Sequence, residues 1–271
     1  MHNHASTAVP PACLTLSVPH TPQPIVKVDR LSCRLPAGGL VLSEISFTIG
    51  FRERVGLIGP NGAGKSTLLL HLNGLLPHVF PAPFRSEVEV LGLPLSPTTL
   101  HEIRRQVGLL FQDPADQLFC RTVAEDVAFG PQMLGFPPEE VRRRVRTTLI
   151  NVGLTRYDFA TRDIQELSHG QKKLVSLAGL LACEPEFLAL DEPAGNLSPR
   201  LRRNVINILR ELPVAQLVAS HDLELIREVC GRVMILDQGR LQAEGATDQI
   251  LADESLMHAH GLEVPASLRR G

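Results

Sequence analysis

The sequence predicts an α/β protein built on a mostly parallel sheet with helices on both faces. Three observations carry that reading. Short apolar runs alternate with amphipathic helical stretches along most of the chain. One such run leads directly into a glycine-rich loop and then a helix. Another, Phe187 to Leu190, is apolar throughout and flanked by prolines, as a strand covered on both faces would be.

Ile25 to Val28, Leu40 to Ile49 and Arg54 to Ile58 read as strands, with Gly38-Gly39 and Gly50 as turns. Ser66 to Leu76 reads as a helix, and Val88 to Leu91 and Val107 to Phe111 as strands. Helices are expected over Val123 to Phe129, over Pro138 to Val152 and after Ser168. In the second of these, Val141, Val145, Leu149 and Val152 share one face, and Arg142, Arg143, Arg144 and Arg146 read as solvated. Leu197 to Leu212 and Leu223 to Val229 follow as helices around a strand at Leu217 to Ala219. Arg232 to Leu236 and Arg240 to Ala243 form a hairpin around Asp237-Gln238-Gly239. Thr247 to Gly261 closes the chain as one helix.

With 271 residues the chain can bury one large core without disulfide or metal. Its 27 basic and 29 acidic residues leave a net charge of -2, which argues against nucleic acid as a partner. The five cysteines, Cys13, Cys33, Cys120, Cys183 and Cys230, have no metal-ligand spacing and read as free thiols of a reducing, cytosolic compartment. Residues 1–24, rich in Pro, Ala, Ser and Thr, read as a disordered tail without the features of a secretory signal. No stretch reaches the roughly 18 consecutive apolar residues of a membrane span, so any membrane role is peripheral.

Gly59-Pro60-Asn61-Gly62-Ala63-Gly64-Lys65-Ser66-Thr67 fits G-x-x-x-x-G-K-[S/T] between a predicted strand and a predicted helix. Backbone N–H groups of such a loop curl around β- and γ-phosphates, the helix N-terminus favours negative charge, Lys65 adds a point charge, and the Ser66 hydroxyl can ligate Mg²⁺. Asp191 and Glu192 end the apolar strand. A phosphate-bound Mg²⁺ needs a hard oxygen partner there, which assigns Asp191 to the metal and leaves Glu192 to polarise an attacking water.

Leu167-Ser168-His169-Gly170-Gln171-Lys172-Lys173 closely resembles the LSGGQ signature peptide of the ATP-binding-cassette (ABC) family, and the resemblance spans Ile25 to about Gly245. It implies a P-loop NTPase RecA-like core with an antiparallel β subdomain and a helical subdomain carrying the signature. The implied division is a tail at 1–24, an ATPase domain at 25–246 and a C-terminal helical extension at 247–271. By the resemblance, Ser168, Gly170 and Gln171 reach the ATP held by a second ATPase subunit. Gln112 matches the loop glutamine that senses Mg²⁺ or the attacking water, and His221 in Ser220-His221-Asp222 matches the switch histidine at the γ-phosphate. The implied catalytic set is Lys65, Gln112, Glu192 and His221, with ATP and Mg²⁺ as cofactors and Ser66, Gln112 and Asp191 on the metal. Three positions depart from the pattern. His169 replaces a glycine, Ser198 stands where the D-loop usually has aspartate, and Leu35 stands where a tyrosine commonly stacks on adenine, in a chain whose one tyrosine is Tyr157. Loss of that platform removes roughly 1 kcal/mol of stacking.

Gln112-Asp113-Pro114-Ala115-Asp116-Gln117-Leu118-Phe119, continuing through Thr122 to Pro131, resembles the ATPases of energy-coupling-factor importers of cobalt, nickel or vitamins. That resemblance implies a transmembrane energy-coupling scaffold, a substrate-binding membrane protein and a place on the cytoplasmic face of the membrane. Leu118, Phe119, Val123, Val127 and Phe129 stand between two readings, interior packing and a partner surface. The pairs His2 with His4 and His258 with His260 read as solvated rather than metal-binding. The rival function is a soluble ABC ATPase of repair, translation or assembly. Its best-known forms carry a coiled-coil insertion or a second cassette, and 271 residues leave room for neither.

Overall fold

The computed structural model describes residues 23–34, 39–76, 88–156 and 158–269. His2, His4, Cys13, Leu35 and Tyr157 lie outside the described residues, as does most of the expected tail. In chain order the strands are β1 (Val26–Arg34), β2 (Leu40–Ile49), β3 (Arg54–Ile58), β4 (Val88–Val90), β5 (Leu93–Pro94) and β6 (Val107–Leu110). They continue with β7 (Phe187–Asp191), β8 (Ala215–Ala219), β9 (Arg232–Asp237) and β10 (Arg240–Ala246). The helices are α1 (Lys65–Leu72), α2 (Leu100–Gln106), α3 (Val123–Met133), α4 (Pro138–Asn151), α5 (His169–Ala182), α6 (Pro199–Glu211), α7 (Leu223–Val229), α8 (Thr247–Ala252) and α9 (Glu254–Ala259).

Six strands form the main sheet in the order β10-β9-β3-β8-β7-β6, parallel except for the β9–β10 hairpin. Successive residues of these strands feed opposite layers. Leu57, Leu109, Phe187, Leu217 and Met234 face a core shared with α1 and a smaller antiparallel sheet, β2-β1-β4-β5. Ile58, Leu110, Leu188, Val218 and Ile235 face the other core, made with α3 to α7. Burial on both faces explains why Phe187 to Leu190 of β7 and Leu217 to Ala219 of β8 are unbroken apolar runs.

Several boundaries differ from the sequence reading. β1 runs on past Val28 because a bulge, with Arg30 and Glu44 at φ 53° and 54°, flips the alternation that a flat strand would keep. α1 stops at Leu72, where Asn73 and Gly74 end it, rather than at Leu76. α3 continues through Pro131 to Met133. The expected helix from Thr247 to Gly261 is two helices. Asp253 leaves helical geometry at φ -79° and ψ 91°, and its carboxylate caps α9 by accepting from the Leu256 N–H. Arg144 is not solvated. It is 8% exposed, donates to Glu140, to the Ala182 carbonyl and to Glu184, and its guanidinium lies 3.9 Å from the Phe136 ring centroid. Among the described residues no helix is long and apolar enough to cross a membrane.

Candidate active site

Four neighbouring parallel strands deliver the site from their C-terminal ends, where ligands of open α/β sheets bind. β3 runs into the glycine loop, β8 into Ser220 and His221, β7 into Asp191 and Glu192, and β6 into Phe111 and Gln112. The register pairs Leu110 with Leu190, Asp191 with Ala219, and Leu57 with Ala219, so these ends are level. They surround a cavity of about 370 Å³ lined by residues 61–67, Gln112, Asp191, Glu192, His221 and Val41 of β2. The 167–173 stretch takes no part in that lining.

The loop is shaped by glycine and braced by its surroundings. At Gly59, φ is 153° and an added Cβ would stand 1.9 Å from the Leu236 carbonyl oxygen. Gly64, at φ 104°, precedes the first turn of α1, and a Cβ there would meet Leu42 at 2.8 Å. From the hairpin, the Gly239 N–H donates to the Ala63 carbonyl, and Gly239 in turn accepts from the Ser43 N–H. The buried Lys65 ammonium donates to the carbonyls of Gly59 at 2.7 Å and Pro60 at 2.9 Å, and lies 3.3 Å from His221 Nε2. Burial pulls its pKa below the ordinary lysine range, and the Glu192 and Asp191 carboxylates oppose that pull.

Asp191 is buried, and burial raises its carboxyl pKa. A hydrogen bond from the Ser66 hydroxyl and the charges of Lys173, Lys65 and His221 act against the rise. A hydroxyl and a carboxylate within hydrogen-bonding reach, at the foot of a phosphate-type loop, are hard oxygen donors suited to Mg²⁺. Glu192 lies just past the strand at φ 46°, with its N–H on the Ala219 carbonyl. Its carboxylate accepts from Ser220 Oγ at 2.9 Å and from the His221 N–H at 2.7 Å, and stands 3.9 Å from His221 Nε2.

Ser168, Gly170 and Gln171 sit at the exposed start of α5, away from this cavity. Ser168 and Gln171 form a reciprocal cap there. His169 adopts an ordinary helical conformation in the first turn, so its replacement of glycine imposes no left-handed backbone. Ser198 caps α6 by position only, with no side-chain cap bond, and is exposed. The sequence reading missed two supports, Ser220 beneath Glu192 and the buried Lys173. Ser220 is one hydroxyl in a strand-end tripeptide, and its partner is far away in the chain.

Asp222 adds a further anchor. It caps α7 through the Leu225 N–H and receives a two-pronged bond from Arg202 of α6, at 2.5 and 2.8 Å. Burial raises its pKa, but the Arg202 guanidinium and the Leu225 N–H outweigh burial and hold the carboxyl below its usual range. A depressed carboxylate stabilises the fold fully above the ordinary aspartate value of about 4, and that contribution is lost as pH falls through the lower folded value. Asp222→Asn keeps an acceptor for the Leu225 N–H but removes the charge facing Arg202, and is expected to cost about 1 kcal/mol at pH 7, with the gap to the parent closing as pH falls below about 4. Urea denaturation across that pH range checks this, and a gap independent of pH contradicts it.

The model of the ABC transporter family matches residues 42–195 of this chain, more than half of it. The chain belongs to the ABC transporter family. A Gloeobacter violaceus protein named as an ABC transporter ATP-binding protein is 54% identical over 248 residues, covering 92% of this chain and 99% of the relative. The energy-coupling factor transporter ATP-binding protein EcfA of Methanothermobacter thermautotrophicus is 43% identical over 246 residues, covering 89% and 77%. Among solved structures, CbiO1 of Clostridium perfringens, part of the ABC transporter complex CbiONQ, superimposes with a TM-score of 0.73 at 31% identity, over 87% of this chain and 94% of that one. As an ABC ATPase the chain binds ATP and couples its hydrolysis to transport, and its RecA-like core, antiparallel sheet and helical layer are those the family resemblance implied.

Proposed function

We propose that this chain is the ATP-hydrolysing subunit of an energy-coupling-factor importer of a transition metal ion or vitamin, working at the cytoplasmic face of the membrane in a pair that sandwiches two ATP molecules. The convergence of Lys65, Gln112, Asp191, Glu192 and His221 on one cavity carries the catalytic part. Residues 59–67 hold the phosphates, with Lys65 turning from the loop carbonyls to the β- and γ-phosphate oxygens. Ser66 and Asp191, with Gln112 at the edge, hold Mg²⁺, which when bound neutralises developing charge on the phosphates. Glu192, fixed by Ser220 and the His221 N–H, orients and deprotonates the attacking water. His221 stands between Lys65 and Glu192, where its imidazole reaches the γ-phosphate. Ser168, Gly170 and Gln171 lie outside the cavity, which suits contact with ATP held by the partner subunit, at a helix N-terminus.

The membrane side rests on the stretch after Gln112. Of the five residues there that stand between two readings, Val123 and Val127 are core, Leu118 is half-buried, and Phe119 and Phe129 are 66% and 40% exposed. Those two rings meet edge to face with centroids 4.8 Å apart, beside exposed Met133, which makes an apolar surface suited to a partner helix. Relatives named as energy-coupling factor ATPases support the same reading. The test is affinity capture of the full-length chain from detergent-solubilised native membranes. A transmembrane scaffold and a small substrate-binding membrane protein are expected with the parent and lost with Phe119→Ser/Phe129→Ser, while basal ATPase persists. Capture of soluble partners alone would favour a non-transport ATPase.

A further inference from the structure

Lys173 is among the largest fully buried side chains, 1% exposed, in the second turn of the helix that opens at Ser168. Its ammonium donates to the backbone carbonyls of Phe111 at 3.1 Å and Gln112 at 2.5 Å. Those carbonyls follow the last ladder residue of β6, which is the edge strand of the main sheet, so no neighbouring strand satisfies them. An aliphatic side chain would fill this place on α5 at less desolvation cost, so packing alone does not account for a lysine. Burial lowers its pKa, and the carboxylates of Asp191, Glu192 and Asp113 favour the charged form. One cation therefore joins the backbone of Phe111 and Gln112 to α5.

We propose that Lys173 is a positioning residue for hydrolysis, fixing the backbone of Gln112 to α5 so that the Gln112 side chain holds its place at the cavity and follows any movement of that helix. This rests on the reading of the cavity as the Mg²⁺-ATP site. α5 packs on β6 and on the 114–116 turn, so the link is short and has no flexible intermediate. Because Ser168 caps the same helix, displacement at its exposed end is carried to Gln112 through the Lys173 side chain.

The test uses the full-length chain with Lys173→Met, Lys173→Arg, Gln112→Ala and the double variant Lys173→Met/Gln112→Ala. Binding of a fluorescent ATP analogue, kcat for phosphate release and the Mg²⁺ concentration for half-maximal rate are read for each. Lys173→Met is expected to bind the analogue within about threefold of the parent, to lose about tenfold in kcat and to need more Mg²⁺. Lys173→Arg is expected to recover part of the rate. In the Gln112→Ala background, Lys173→Met is expected to add less than about twofold, because both act through one side chain. Parent-like kcat and Mg²⁺ dependence in Lys173→Met would overturn the proposal, as would losses that multiply in the double variant. If Lys173→Met does not fold, Lys173→Arg alone and with Gln112→Ala decides by the same non-additivity. Absence of analogue binding by the parent would instead refute the cavity assignment itself.

Discussion

Replacing Glu192 by Gln is expected to lower ATP turnover by about 10²- to 10⁴-fold while leaving ATP binding intact. The side chain has two structural partners and one proposed chemical duty, and the substitution separates them. A glutamine can accept from the His221 N–H with its carbonyl oxygen and donate its amide to Ser220 Oγ, so the bonds now made at 2.7 and 2.9 Å survive. The left-handed backbone at this position, φ 46°, is as tolerable for glutamine as for glutamate. What disappears is a group able to take a proton from water. Phosphate release measured beside nucleotide binding reads the two effects apart, and the variant is expected to accumulate an ATP-bound pair on gel filtration. Turnover at the parent rate would refute the role given to Glu192.

The second large effect is expected at Lys65. Charge-assisted bonds from a lysine to phosphate oxygens contribute roughly 1.5–3 kcal/mol, so Lys65→Ala is expected to weaken ATP binding by about 10- to 100-fold and remove hydrolysis with it. Its bonds to the carbonyls of Gly59 and Pro60 close the loop on itself, and removing a side chain that lines the cavity lets water take its place beside them. Thermal stability should therefore fall little. Isothermal titration with ATP together with a melting curve tests both halves, and unchanged affinity in a folded variant would count against the phosphate-loop assignment.

Where residues and their partners are close in the chain, the sequence reading and the structure agree closely. The strands Leu40–Ile49 and Arg54–Ile58 and the helix Leu223–Val229 match residue for residue. The glycine loop sits between strand and helix as its motif requires, and Gln112, Asp191, Glu192 and His221 meet it around one cavity. Most of the misreadings turn on a partner distant in sequence or on a single backbone dihedral. Arg144 belongs to a run of arginines on a helix, and its bonds to the Ala182 carbonyl and to Glu184, at and just past the far end of α5, are with residues about forty positions away. Lys173 stands among lysines just after the signature, and its partners lie about sixty residues earlier. The bulge of β1 and the break at Asp253 depend on φ and ψ values that composition does not encode. The helix α2 escaped notice because it is short and buries only Ile103.

The hairpin turn that holds the glycine loop changes what binding has to accomplish. With the Leu236 carbonyl against Gly59 and Gly239 bonded to Ala63, the loop is braced by residues some 175 positions further along the chain. For the proposed phosphate site this means a cradle whose shape the fold already sets, so that little conformational entropy is surrendered on binding. The same rigidity makes the cradle a poor place for motion, so a cycle of closing and opening must be borne by the joints around it, between the main sheet and the helical layer on its other face.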